Sequence, residues 1–110
     1  MNENREKIHR RIDAERNRQD AKWGKNENRR ELNHFVLSTV LQEEAGEVAQ
    51  ALLKVYDGEE NPIKGREDLI EELTQVAAVA VAWLENLCSQ MDALDGHIAC
   101  LLYTSPSPRD

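Results

Sequence analysis

Leu37, Leu41, Val48, Leu52 and Val55 recur at a spacing that places them on one stripe of an α-helix, and Glu44 falls inside that stripe. At about 100° per residue, Glu47 lies on the border of the stripe and Glu43 one step further round. Three carboxylates therefore run from the buried face toward the edge, where a solvated charge run would sit opposite. Burying a carboxylate costs several kcal/mol unless a cation or a set of hydrogen bonds compensates, so a glutamate between Leu41 and Val48 requires a partner. A metal ion is the expected one.

The chain of 110 residues is long enough for one small domain with a single core, but marginal as an isolated monomer, so oligomerisation is expected. Its net charge of -7 and single Phe, without a basic stripe, argue against nucleic acid as a partner. The longest apolar run, Val76 to Leu84, falls well short of the roughly 20 residues that a bilayer span requires. No signal peptide opens the sequence, and a cytoplasmic protein without membrane attachment is expected. Cys88 and Cys100 show no CxxC or Cys/His spacing, so neither a disulfide framework nor a zinc site is expected, and the compartment reads as reducing.

Residues 5–20 are mostly charged or amidic, with Ile8 and Ile12 as the clear apolar pair, which predicts a polar surface helix with a thin contact stripe. Trp23 and Gly24 break that pattern, and Asn26 to Asn33 reads as a loop. The first long helix is expected from Asn33, as N-cap, to Tyr56, with Asp57-Gly58 as its stop. Gly46 inside it costs about 1 kcal/mol relative to Ala and signals close approach of a backbone or ligand, or a small-residue packing contact. Asp57 to Gly65, with Pro62, reads as a connecting loop.

A second long helix is expected from Arg66 to Met91, with Leu69, Leu73, Val76, Ala77, Ala80, Leu84 and Leu87 on its core face. Glu72 lies on the flank of that face, continued by Asp68, Gln75 and Val79. From Val76 to Leu84 the helix is apolar nearly all round, which predicts burial on more than one side and a subunit interface as cover. Cys100 to Asp110 matches, residue for residue, one reading frame of a transposase-type sequencing adapter, so residues 100–110 are set aside as a foreign, disordered tail. The native domain is then residues 1–99, with more native sequence expected beyond Ala99.

The expected fold class is all-α: two long antiparallel helices plus a polar N-terminal helix, completed by oligomerisation. Such packing brings Glu44 and Glu47 to face Glu72 near the loop end. Converging carboxylates with no lysine or arginine on the same faces repel one another, and all-oxygen ligation favours magnesium, with manganese possible. A ferritin-like di-iron site is disfavoured, because His9, His34 and His97 stand at no Glu-x-x-His spacing from these acids. Lys54, two turns beyond Glu47, could reach a phosphate, or equally form a surface ion pair or pack beside Tyr56.

Glu43-Glu44-x-x-Glu47 followed by Glu72-x-x-Gln75 resembles the EExxE…ExxD signature of MazG-like nucleotide pyrophosphohydrolases. Gln19 to Gly24 and Gln75 to Glu85 are similar to flanking segments of short phage and bacterial members, so the resemblance covers most of residues 10–90. It implies an all-helical dimer or higher oligomer that hydrolyses nucleoside triphosphates to monophosphate and pyrophosphate with magnesium. By motif position it implies Glu44, Glu47 and Glu72 as metal ligands, with Glu43 or a ligand carboxylate taking the proton of the attacking water. Lys22 and Trp23 fall in a matching segment and are assigned to the substrate, the tryptophan as a base-stacking face or, on physics alone, a cap on the core edge. The sequence departs from the signature at Gln75, whose neutral amide lowers metal affinity, with Asp68 as the compensating acid. The alternative is a catalytically weak or inactive nucleotide-binding or structural oligomer of the same fold.

Overall fold

A computed structural model describes residues 3–24, 34–58 and 61–95. They form three helices, α1 (Glu3–Gly24), α2 (His34–Tyr56) and α3 (Pro62–Asp95), and no strand occurs among the described residues. The long α3 is the centre of the arrangement, with α1 and α2 each packed against it. Val55 lies against Gly65, Glu44 and Glu47 lie beside Glu72, and His34 meets Trp83, so α2 and α3 run antiparallel along most of α2. No helix among the described residues is long and apolar enough to cross a membrane. The expected loop from Asn26, the Asn33 cap, the Trp23 side chain, His97 and the tail 100–110 lie outside what is described.

The helix ends follow local chemistry. α1 carries Glu3 and Glu6 in its first turn and Lys22 in its last, matching the helix dipole, and it continues to Gly24 where the sequence pattern predicted an earlier break. α2 stops as expected: Asp57 N–H donates to Leu53 O at 2.8 Å, Gly58 N–H donates to Val55 O at 3.3 Å, and Gly58 takes a left-handed φ of 73°. The expected loop to Gly65 is shorter than predicted, because α3 starts at Pro62. Asn61 caps it, accepting at Oδ1 from Lys64 N–H at 2.7 Å, and Pro62 occupies the first helical position, where its missing N–H costs nothing. Gly65 is thereby drawn into the first turn of α3, buried against Val55.

The faces that pack differ from those the apolar periodicity predicts. On α2, Leu37 and Ala51 are buried and Leu41, Val48 and Val55 half-buried, but Leu52 is exposed, so the packed face is rotated toward Ala51. On α3 the correction is larger. Ala78 and Val79 are the fully buried side chains, whereas Leu73, Leu84 and Leu87 of the predicted core face are exposed. The flank bearing Glu72 and Val79 is what meets α2, so the two helices pack through their acid-bearing sides. Val76 to Trp83 is buried or half-buried throughout, in keeping with cover on more than one side.

α1 also packs by means its thin apolar stripe does not suggest. Ile12 is half-buried and Ile8 exposed, while Arg16 and Gln19 are buried. Arg16 Nη2 donates to Glu85 Oε1 at 2.5 Å and pairs with Asp20 at 3.1 Å. Burial opposes the Arg16 charge, but Glu85 and Asp20 outweigh it, so its pKa lies above the ordinary value. Gly46 is exposed, with nothing within 4 Å of where a Cβ would stand, so no group described here makes the close approach its presence suggested. Cys88 is disulfide-bonded, which corrects the expectation that the cysteines form no bridge; the other cysteine, Cys100, lies outside the described residues. No spacing rule encodes a lone bridge, which depends on the path of the chain.

Candidate metal centre

Antiparallel packing of α2 on α3 sets Glu44 and Glu47, three residues apart on one helix, against Glu72 on the other. One carboxylate oxygen from each lies within 4.8 Å of the other two, close enough to ligate a single cation. Glu44 and Glu72 are half-buried and Glu47 is exposed, so the cluster has an inner wall and an open side. Oε1 of Glu44 and Oε1 of Glu72 are buried without a hydrogen-bond partner. Leaving such oxygens without a donor is costly, and a divalent cation would satisfy both.

The electrostatics agree with that reading. Burial raises the Glu44 carboxyl above its ordinary pKa, and repulsion from Glu47, Glu15 and Glu43 adds to it, while Arg18 opposes the rise. Burial likewise raises Glu72, with a hydrogen bond to Glu47 and the charges of Glu47, Glu44 and Glu71 acting in the same direction. Glu44 and Glu72, with their raised pKa values, are carboxyls that a bound cation would ionise.

The other residues singled out by sequence lie around this cluster or apart from it. Glu43 is exposed beside Glu44 and is not one of the converging ligands. Asp68 is not in the cluster either, and Lys64 Nζ donates to its Oδ1 at 2.8 Å. This pairing is local, since the first turn of α3 supplies the lysine at i−4. Gln75 is half-buried on α3, less than one turn beyond Glu72. Lys54 is exposed near the end of α2 and Lys22 exposed at the end of α1.

Two α1 residues whose charges act on Glu44 were missed by sequence reasoning. Glu15 and Arg18 form a pair, with Arg18 Nε donating to Glu15 Oε1 at 3.0 Å and Nη2 to Oε2 at 2.6 Å, and both charges act on Glu44. Their i,i+3 spacing is common on solvated helices, and only the packing of α1 on α3 brings their charges to bear on Glu44. Comparison with protein-family models, with curated proteins and with solved structures finds no match.

Proposed function

We propose that this protein is a magnesium-dependent nucleotide pyrophosphohydrolase, which cleaves a nucleoside triphosphate with water into the monophosphate and pyrophosphate. The observation that carries the reading is the convergence of Glu44, Glu47 and Glu72 across two helices, with two of their oxygens buried and unpartnered. The EExxE…Exx pattern that resembles MazG-like enzymes supplies the substrate class. Manganese would fit the same oxygen set.

In this reading Glu44, Glu47 and Glu72 would hold the ion, which would supply charge neutralisation at the phosphate oxygens and make water more acidic there. Glu44 and Glu72 form the inner wall and exclude solvent from one side, while the exposed Glu47 side admits the polyphosphate. Glu43, exposed and beside Glu44, is the general base that accepts the proton of the water attacking the α-phosphorus, with pyrophosphate leaving in line. Gln75 offers an amide oxygen without charge, which favours weak binding of a second ion or none. Lys22, Lys54 and Trp23 remain assigned to the substrate on sequence grounds.

A homo-oligomer belongs to the same proposal. Leu73, Leu84, Leu87 and Met91 share one stripe of α3 and are all exposed. Leu52 and Tyr56 are likewise exposed on α2, and a second copy would cover such surface. The experiment that tests the function is a pyrophosphate-release assay over ribo- and deoxyribonucleoside triphosphates, with and without magnesium. Metal-dependent release of pyrophosphate and monophosphate is expected; no release from any triphosphate, with the helices intact, would leave a nucleotide-binding or structural oligomer.

A further inference from the structure

α3 meets its neighbours on two of its sides. Thr74 and Glu85 take the side chains of Arg11 and Arg16 from α1, whereas Glu72 and Trp83 stand beside Glu44, Glu47 and His34 of α2. At about 100° per residue, Ile70, Leu73, Ala77, Ala80, Leu84 and Leu87 fall on a third side, recurring at alternating steps of three and four residues. The same steps reach Ile63 and Arg66 at one end and Met91 and Leu94 at the other, so every position of this heptad seam except Arg66 is apolar. Its large side chains are all exposed, Leu73 at 51% and Leu84 at 59%, and the two alanines at its middle are half-buried. The described parts of α1 and α2 leave this face open.

We propose that two copies of this chain pair through this seam as an antiparallel coiled coil, around a two-fold axis lying between Ala77 and Ala80. The pairing rests on the homo-oligomer reading above and is independent of the metal reading. The exposed apolar side chains from Ile63 to Leu94 present on the order of 700 Å² per chain, close to what one partner gives to a stable interface of standard size, so a second copy suffices as cover. Side-chain size reads alike in both directions from the middle. Antiparallel pairing sets Ala77 opposite Ala80, Leu73 opposite Leu84 and Ile70 opposite Leu87, and the alanines let the helices approach most closely at the axis. Charge selects the direction. A parallel pair would set the exposed Arg66 against its own counterpart within the seam and hold both acidic clusters at one level. The antiparallel pair sets Arg66 opposite Met91, next to Asp92, and separates the two Glu72 residues by about 20 Å along the axis, beyond the screening length at physiological salt.

Leu73 and Leu84 are exposed in the chain, so each can take a charge without loss of fold. Full-length protein, Leu73→Lys, Leu84→Glu and the double variant Leu73→Lys/Leu84→Glu are compared by sedimentation equilibrium over a dilution series, with circular dichroism of each. The unmodified chain is expected to dimerise, and each single variant to weaken the dimer by about 10-fold or more, because a charge then faces leucine in the seam. The double variant should recover most of that loss, since antiparallel pairing sets the two introduced charges, opposite in sign, against each other on both sides of the axis. A double variant that associates no more tightly than either single overturns the antiparallel pairing, because a parallel seam would set like charges opposite. Self-association that neither single variant weakens overturns the seam while the oligomer reading stands. Loss of helicity in either single variant also overturns the seam, because this face would then belong to the chain's own core. An unmodified chain that sediments as a monomer at micromolar concentration overturns the oligomer and the seam together.

Discussion

Gly65 and Val55 meet so closely that a Cβ on the glycine would stand 2.5 Å from Val55 Cγ2 and 3.6 Å from Val55 Cβ. This contact sets the start of α3 against the end of α2, just after the Asn61 cap, and so fixes the hairpin on which the acidic cluster depends. Gly65→Ala would gain about 1 kcal/mol in helix propensity. Overpacking should outweigh that gain, because valine in a helix has little rotamer freedom to escape. A net loss of about 1–2 kcal/mol is expected by denaturant unfolding. Adding Val55→Ala should recover part of it, and a double-mutant cycle without coupling between the two positions would show that the contact is not tight.

The acidic cluster predicts a separation of stability from activity. Glu44→Gln, Glu47→Gln and Glu72→Gln each keep a similar shape while removing one repelling charge. In metal-free buffer their melting temperatures should hold or rise, whereas magnesium-dependent pyrophosphate release should fall at least about 100-fold, as when a preorganised electrostatic contact is lost. Undiminished turnover in all three would refute the site, and loss of helicity would make these glutamates structural.

The pH dependence of stability should change sign with metal. Glu44 and Glu72 have folded-state pKa values raised above the ordinary carboxylate value, so between the unfolded and folded values the native state binds more protons. Stability of the metal-free protein should therefore fall as pH rises through that window, which opens at the ordinary carboxylate pKa. Saturating magnesium binds the ionised form and should reverse the trend over the same window. Melting curves across acidic to neutral pH, with chelator and with magnesium, provide the check. A flat profile in chelator would mean that the carboxylates do not repel in the folded state.

Exposed leucines on α3 predict self-association. Leu84 is 59% exposed in the chain, so Leu84→Glu should leave the helical content intact and shift sedimentation to the monomer. Ala80→Glu, at a half-buried position on the same stripe, should disrupt both assembly and folding. An unmodified chain that sediments as a well-folded monomer at micromolar concentration would remove the oligomer from the proposal.

Arg16 predicts an asymmetry between the partners of a part-buried ion pair. Its side chain is 8% exposed and that of Glu85 58% exposed. Glu85→Ala leaves the guanidinium with Asp20 and the Gln19 side-chain oxygen and should cost about 1–2 kcal/mol, less than for a fully buried pair because solvent reaches the glutamate. Arg16→Met, which keeps the volume and removes the charge, should cost less than Glu85→Ala. The reverse order in chemical denaturation would show that the guanidinium is held by more than its ion pairs.

The sequence by itself determined the three helices, the stop at Asp57-Gly58 and the anomaly of Glu44, because each is a local or periodic property: 3.6-residue spacing, left-handed glycine, a carboxylate in an apolar stripe. It also paired Glu44 and Glu47 with Glu72, since a short connection between two long helices leaves little choice but antiparallel packing. Only the tertiary structure decided which faces meet. The apolar stripe of α3 was strong enough to pass for the core face, yet Val79 and the Glu72 flank turn inward and Leu84 turns outward, because the crossing of α2 and α1 on α3 sets what is covered. The engagement of Asp68 by Lys64, the burial of Arg16 against Glu85, and the action of the Glu15 and Arg18 charges on Glu44 belong to the same class. Each depends on side chains from separate turns or helices meeting in space, and no periodicity within one segment records where another segment will lie.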